Sequence, residues 1–156
     1  MPLFRHLLLL TILSFSAANA SEYSFALPRL ENKEIVQLNE FKGNVVYVDF
    51  WASWCGPCLK SLPLYEEVYG KYKDRGFEII AINMDRNKQD ASHFLQQKPI
   101  SYISVYGWGS DVAENFKVMG MPSSYLFDRN GHLIMSHKGF KLADIEKLEH
   151  YIEEAL

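Results

Sequence analysis

The sequence predicts one mixed α/β domain with a central β-sheet covered by helices. Two runs, residues 44–51 and 77–84, are apolar on both faces, as expected of central strands that are buried between helices. Residues 53–72, which lie between them, carry apolar side chains at helical spacing. Further along the chain, the Asn130-Gly131 pair is a strong turn signal for a β-hairpin.

The remaining elements complete an alternation of strands and helices. A short N-terminal hairpin is expected around Glu31 and Asn32, and Pro63 is expected to kink the first long helix. The C-terminal helix has a predicted apolar face formed by Leu142, Ile145, Leu148, Ile152 and Leu156. In chain order, the predicted elements are strands 25–27, 34–38 and 44–51, helix 53–72, strand 77–84, helix 89–97, strand 100–105, helix 111–117, strands 123–127 and 132–137, and the C-terminal helix.

The first 20 residues are typical of a secretory signal peptide. Arg5 and His6 precede an apolar run at 7–15, and residues 18–20 (Ala-Asn-Ala) form a small-x-small cleavage site. The run is shorter than the roughly 20 residues that a membrane span needs, and an uncleaved anchor is the alternative. We therefore expect a signal peptide at 1–20 and one domain at 21–156, in an exported protein that is soluble after cleavage.

The net charge argues against one class of partner. The formal net charge of the 156 residues is −3, and removal of Arg5 with the signal peptide makes it −4. A mildly acidic chain of this kind argues against nucleic acid as a partner. Its length is sufficient for one domain with a normal core.

The chain's two cysteines, Cys55 and Cys58, lie two residues apart at the predicted start of a helix. The helix N-terminus favours the thiolate at Cys55, which is the reactive form of the thiol. Pro57 suits the first helical turn, where its missing N–H is not needed. Cys58 lies close enough in sequence to attack a mixed disulfide on Cys55. The motif therefore predicts dithiol–disulfide exchange.

Three other interpretations of this motif are weaker. A four-residue loop constrains the unfolded chain little, which argues against a structural disulfide. A zinc site needs about four ligands, and no second Cys pair or His-x-x-x-His follows, so we expect no metal and no other cofactor. The last alternative is a pair of buried, inert cysteines.

The chain resembles thioredoxin-fold proteins, and within them the exported disulfide reductases of the TlpA/ResA type, in the redoxin family. Residues 25–28, 36–38, 41–43 and 45–58 resemble the family's N-terminal hairpin and active-site run, in the same order. Residues 118–131 resemble its cis-proline segment and the hairpin that follows. The resemblance implies a thioredoxin fold, a central mixed β-sheet flanked by helices, with an N-terminal β-hairpin extension.

Site residues follow from the resemblance. It implies that Cys55 attacks the substrate disulfide and that Cys58 resolves the mixed disulfide. Pro122 corresponds to the cis-proline opposite the disulfide, and an ordinary trans turn is the alternative. By the same resemblance, Met121 would lie beside the sulfurs and help to set the redox potential, and an extended substrate segment would pair with the backbone at this edge. The rest of the Cys-x-x-Cys segment, at Trp54, Gly56 and Pro57, is expected to contact the substrate as well.

Asp49 is the candidate proton acceptor for Cys58. It lies in a strand that is predicted to be buried, so its pKa is expected to rise, and the resolving thiol must lose a proton before it attacks. A solvated charge at the strand end is the alternative. Thioredoxins carry an acid at this position, whereas many TlpA/ResA-type proteins have an amide there and a Glu three residues after the second cysteine. Here that later position is Ser61.

The predicted function is therefore thiol–disulfide exchange, as a protein-disulfide reductase. The resemblance implies a periplasmic protein that acts on disulfide-containing exported proteins, with the cysteines of apocytochrome c as one possible target, and that is re-reduced by a membrane thiol-electron donor. Two alternatives are kept. One is an oxidase or isomerase that runs the same exchange in the oxidising direction, since the potential depends on more than the motif. The other is a binding module of this fold whose thiols are idle.

Overall fold

A computed structural model of the protein describes residues 23–156. The predicted signal peptide at 1–20 lies outside the described residues. In chain order the elements are β1 (Ala26–Pro28), β2 (Ile35–Gln37), β3 (Val45–Trp51), α1 (Gly56–Tyr72), β4 (Phe77–Asn83), α2 (Lys88–Gln97), β5 (Ile103–Tyr106), α3 (Val112–Asn115), β6 (Ser123–Phe127), β7 (Leu133–Lys138) and α4 (Ala143–Ala155). Two short 3₁₀ segments, Leu38–Phe41 and Lys73–Arg75, follow β2 and α1.

The central sheet has five strands in the order β5-β4-β3-β6-β7. Strands β3, β4 and β5 run parallel, whereas β6 is antiparallel to β3 and β7 is antiparallel to β6. The predicted mixed sheet is confirmed. All seven residues of β3 are buried, which explains why its sequence is apolar on both faces.

The hairpin of β1 and β2 forms a separate two-stranded sheet, which confirms the predicted N-terminal extension. It is joined to the edge of the central sheet, where Arg29 forms an isolated antiparallel bridge with Val105 and the Leu30 amide donates to the Ser104 carbonyl at 3.0 Å. Buried Leu27 and Val36 anchor the hairpin in the core on one face of the central sheet.

Two apolar cores cover the two faces of the sheet. One core contains residues of α1, α2 and α4 together with Tyr47, Trp51 and both cysteines. The other contains the hairpin residues, α3 and the alternate β3 residues Val46, Val48 and Phe50. The period-two alternation of β3 therefore places Asp49 on the same face as Tyr47 and Trp51, which is the face of α1 and of Cys58.

Some predicted boundaries were wrong for identifiable reasons. Helix α1 begins at Gly56, because Cys55 is extended (φ −86°, ψ 96°) and acts as its N-cap. Strand β5 begins at Ile103, because the amide of Ser101 donates to the Glu66 carboxylate of α1 at 2.8 Å and is not available to the strand. Leu142 precedes α4 and is 74% exposed, so it does not belong to the apolar face of that helix.

Within residues 23–156, no helix has the length and apolar character that a membrane span requires.

Candidate active site

Cys55 and Cys58 form a disulfide at the N-terminus of α1, with their Cα atoms 5.2 Å apart. Cys55 is 5% exposed and Cys58 is fully buried. Attack by an external thiol or disulfide is therefore easier at Cys55, and Cys58 is enclosed by the core. This asymmetry is the one expected of an attacking and a resolving cysteine.

The first turn of α1 is directed at the sulfur of Cys55. The backbone amide of Cys58 donates to Cys55 Sγ at 3.3 Å, and the amide of Leu59 donates to the Cys55 carbonyl at 3.1 Å. Pro57 lies in this turn, where it removes no needed hydrogen bond. Because amide donors and the helix dipole both favour negative charge, the arrangement stabilises a thiolate at Cys55.

The loop that precedes Cys55 is fixed by a buried carboxylate that the sequence did not reveal. Asp85 is 1% exposed, and its two oxygens accept from the Ser53 amide at 3.2 and 3.0 Å. The Ser53 hydroxyl donates to the same carboxylate at 2.9 Å, and the Asn83 side chain donates to it at 2.7 Å. Asp85 comes two residues after the end of β4, beside the end of β3. An acidic residue just after a predicted buried strand is the sequence signal that could have identified it.

Asp49 is fully buried, so the alternative of a solvated strand-end charge is wrong. Ser124 Oγ donates to Asp49 Oδ1 at 2.7 Å. Burial raises the pKa of the Asp49 carboxyl from 3.8 to about 7, and the Ser124 hydrogen bond acts in the opposite direction. The carboxyl therefore changes its protonation near neutral pH, on the sheet face that also carries Cys58.

Ser61, at the position of the family's Glu, points its hydroxyl to the backbone. Ser61 is fully buried, and its Oγ donates to the Cys58 carbonyl at 3.1 Å. The hydroxyl group therefore satisfies a first-turn carbonyl of α1 and supplies no carboxylate to the site.

The Met121–Pro122 peptide bond is cis, as the resemblance predicted. Pro122 immediately precedes β6, which begins beside the end of β3 because Phe50 and Ser123 are paired in register. The antiparallel pairing therefore brings the 121–122 segment to the end of the sheet from which the Cys55 loop leaves. The Pro122 carbonyl accepts from the Gly139 amide at 2.8 Å, which ties the segment to the residue that follows β7.

Apolar side chains are exposed at this end of the sheet. Trp54 is 67% exposed and Met119 is 85% exposed, whereas Met121 is only partly exposed and packs against both cores. Gly56 is exposed, and a Cβ added there would meet no atom within 4 Å. The predicted contact residues Trp54, Gly56 and Met121 thus differ in how far they reach into solvent.

The described part of the chain contains no cluster of three or more His, Cys, Asp or Glu side chains that is able to hold a metal ion.

Comparison with known proteins agrees with this geometry. The Redoxin family profile matches residues 17–152. The thiol-disulfide oxidoreductase ResA of Bacillus thuringiensis subsp. konkukian is 34% identical over 131 residues, which cover 84% of this chain and 74% of the relative.

Solved structures show the same fold. A crystal structure from Chlorobium tepidum, described as a thiol:disulfide interchange protein DsbE, superposes with a TM-score of 0.81 at 42% identity, over 85% of this chain and 92% of that chain. The thioredoxin domain of a thiol-disulfide oxidoreductase from Bacteroides vulgatus gives a TM-score of 0.75 at 26% identity, over 87% of this chain and 98% of that domain.

Proposed function

The chain belongs to the Redoxin family and is a thiol–disulfide oxidoreductase of the ResA/DsbE type with Cys55 and Cys58 as its redox pair, and on this premise we propose that it reduces disulfide bonds in exported proteins. The observation that carries the proposal is the difference between the two cysteines. One lies at the helix N-terminus with some exposure, and the other is buried on the sheet face that also holds an acid with a pKa of about 7.

The reaction begins with the reduced protein. The Cys55 thiolate attacks one sulfur of the substrate disulfide, and the other substrate sulfur leaves as a thiolate and is protonated. Cys58 then loses its proton to Asp49 and attacks Cys55 Sγ, which breaks the mixed disulfide. The substrate gains two electrons and two protons, and the Cys55–Cys58 disulfide forms.

The substrate segment is proposed to lie extended along the edge at Met121 and Pro122. Backbone pairing at a strand edge gives affinity without a sequence code, and Trp54, Gly56 and Pro57 would contact the residues around the substrate sulfur. Substrates are proposed to be disulfide-containing exported proteins, among them the haem-attachment cysteines of apocytochrome c.

The proposal also covers the location of the protein, its electron donor and the direction of the exchange. Residues 1–20 direct export and residues 21–156 form the mature domain in the periplasm. Each turnover leaves the protein oxidised, so a membrane thiol-electron donor must restore the dithiol. The Gly56-Pro57 dipeptide favours the reducing direction, because it resembles the dipeptide of the reducing members of this fold, whereas oxidants and isomerases of the fold usually carry a histidine between the cysteines.

A trapping experiment tests this function. The reduced Cys58→Ser variant, mixed with a protein that holds one exposed disulfide, is expected to accumulate a mixed disulfide on Cys55 that mass spectrometry detects. Cys55→Ser is the matched control and is expected to trap little, because Cys58 is buried. Equal trapping by both variants would contradict the assigned roles, and a double Cys→Ser variant that retains full cellular function would favour the binding module.

The direction of the thiol–disulfide exchange is tested with the same substrate protein. The reduced wild-type protein is expected to convert the substrate disulfide to the dithiol and become oxidised. Rapid oxidation of a substrate dithiol by the Cys55–Cys58 disulfide, with little reaction in reverse, would support the oxidase.

A further inference from the structure

Asp49 and Ser124 form a buried pair across the centre of the sheet. They are directly opposite each other in the antiparallel register of β3 and β6, and both are fully buried. Ser124 Oγ donates to Asp49 Oδ1 at 2.7 Å. Among the described residues, the second oxygen, Asp49 Oδ2, is buried and has no hydrogen-bond partner. The two carboxyl oxygens are therefore not equivalent.

We propose that Ser124 is a positioning residue for the exchange reaction: it holds Asp49 by Oδ1 and leaves Oδ2 as the oxygen that takes the proton of Cys58. This inference rests on the proposed role of Asp49 as proton acceptor and adds a residue that acts through it. A carboxyl held at one oxygen has one fixed orientation. The free oxygen keeps its full capacity to accept a proton.

The proton of the Cys58 thiol passes to Asp49 Oδ2, and the Cys58 thiolate attacks Cys55 Sγ in the mixed disulfide. The bond between Cys55 and the substrate sulfur breaks, its electron pair leaves with that sulfur, and the substrate thiolate is protonated by solvent. The Ser124 hydroxyl keeps its own proton throughout.

Ser124 also acts on the charge of Asp49. A hydrogen bond donated to a carboxylate favours the ionised form, whereas burial favours the protonated form and raises the pKa of Asp49 to about 7. Ser124 therefore opposes the effect of burial. Without the Ser124 hydroxyl group, Asp49 would be ionised only at higher pH, so a smaller fraction of the protein would hold the carboxylate that accepts the proton at neutral pH.

Among residues 23–156, the following other ionisable groups lie on or against this face. Burial raises the pKa values of Tyr47 on β3, of Tyr65 on α1 and of Tyr102 before β5, so these phenols remain protonated at neutral pH. Cys58 on α1 is the thiol in the reaction. On β7, His137 lies opposite Ser124 in register, with its Nε2 2.9 Å from the Asp144 carboxylate at the start of α4.

Ser123 provides a matched control within the same strand. It is as buried as Ser124, but successive residues of a strand point to opposite faces. Its hydroxyl donates to the Gly120 carbonyl at 2.6 Å. Ser123→Ala removes the partly buried bond to the Gly120 carbonyl and leaves the contact with Asp49 intact. Ser124→Ala removes the buried bond to Asp49 and also the hydrogen bonding by which Ser124 lowers the pKa values of Tyr47 and Tyr65.

The test measures how fast the mixed disulfide is resolved as a function of pH. Reduced protein is mixed rapidly with a small disulfide, quenched with acid, and analysed by mass spectrometry for the mixed disulfide on Cys55. Ser124→Ala is expected to move the midpoint of the resolution profile up by about one pH unit. Ser124→Thr is expected to keep the wild-type midpoint, as are Ser123→Ala and His137→Gln.

A second pair of variants keeps the test valid if Ser124→Ala misfolds. Ser124→Thr and Ser124→Val have nearly the same shape and differ in the hydroxyl group, so the valine variant should shift the midpoint and the threonine variant should not. Equal midpoints for threonine and valine, or for wild type and Ser124→Ala, would overturn the proposal for Ser124.

The Asp49→Asn variant distinguishes failure of the Ser124 proposal from failure of the proposed acceptor role of Asp49. If Asp49→Asn slows resolution and removes the pH dependence while the Ser124 variants match wild type, Asp49 is the acceptor and Ser124 has no part in its action. If Asp49→Asn itself leaves the profile unchanged, the acceptor role is wrong and the Ser124 proposal is overturned with it.

Discussion

Asp85 accepts hydrogen bonds from both the backbone amide and the hydroxyl group of Ser53, two residues before Cys55. The carboxylate is 1% exposed and lies just after β4. It therefore joins the ends of two adjacent parallel strands and fixes the path of the loop that delivers Cys55 to the helix N-terminus.

Replacement of Asp85 by Ala should lower the free energy of unfolding by about 3 kcal/mol, because it leaves the Ser53 amide and the Asn83 side chain without their acceptor. Ser53→Ala, which removes one hydroxyl bond, should cost about 1 kcal/mol. Urea denaturation of the oxidised protein measures both. Asp74→Ala, at an exposed position, is the control and should remain within about 0.5 kcal/mol of wild type. Similar values for the Asp74 and Asp85 variants would show that the network does not stabilise the loop.

Replacement of Asp49 by Asn should stabilise the oxidised protein at alkaline pH. The folded pKa of about 7 lies above the ordinary value of 3.8, so between these values the folded state binds more protons than the unfolded state, and stability falls as the pH rises. At pH 8 the variant should exceed wild type by roughly 2 to 4 kcal/mol, and the difference should shrink toward pH 4.

Denaturation midpoints of the Asp49→Asn variant and wild type across pH 4–9 measure this difference directly. Groups common to both proteins cancel in the comparison. A constant difference over the whole range would mean that Asp49 does not titrate with a raised pKa.

Exposed apolar side chains next to Cys55 in sequence and in the segment before the cis-proline should contribute to substrate binding. Trp54→Ala and Met119→Ala are each expected to raise the KM for a disulfide-containing protein about tenfold, with a smaller change in kcat, because each removes about 1.4 kcal/mol or more of apolar contact. Ile35→Ala is the control, since Ile35 is 52% exposed in the hairpin β2. An equal effect from Ile35→Ala, or none from Trp54→Ala, would argue against this contact surface.

The Gly107 backbone lies too close to neighbouring side chains to accommodate a side chain of its own. A Cβ there would lie 2.6 Å from Ile82 Cγ2 and 3.1 Å from Val112 Cγ1. Gly107→Ala should therefore destabilise the protein by about 1 to 3 kcal/mol through overpacking. Thermal unfolding measures this loss. Gly120→Ala is the control, because a Cβ at Gly120 meets no atom within 4 Å, and the two variants should differ clearly.

The sequence was sufficient to predict the features that depend on local pattern. The apolar runs located β3 and β4, the Asn130-Gly131 pair located the β6–β7 hairpin, and the Cys-x-x-Cys spacing located the redox pair. Each of these signals comes from neighbouring residues, so no knowledge of the tertiary contacts was needed.

The polar partners of the site were not predicted, because they depend on strand register. Ser124 lies 75 positions after Asp49, and Asp85 lies 32 positions after Ser53. Serine and aspartate are common at strand ends and in turns, so their presence gives no signal until the pairing of the strands is known. The prediction for Leu142 was wrong for a local reason: it fits the helical spacing of the apolar face but lies one residue before α4 begins at Ala143.

The equilibrium reduction potential of the Cys55/Cys58 pair decides whether the protein reduces or oxidises its substrates. It is measured in thiol buffers by the fluorescence of Trp54 and Trp51, which lie beside the disulfide in sequence. A disulfide reductase is expected to give a value near the reducing end of the scale for this fold, about −270 mV. A value near the oxidising end, about −120 mV, would contradict that role and show that the protein donates disulfides.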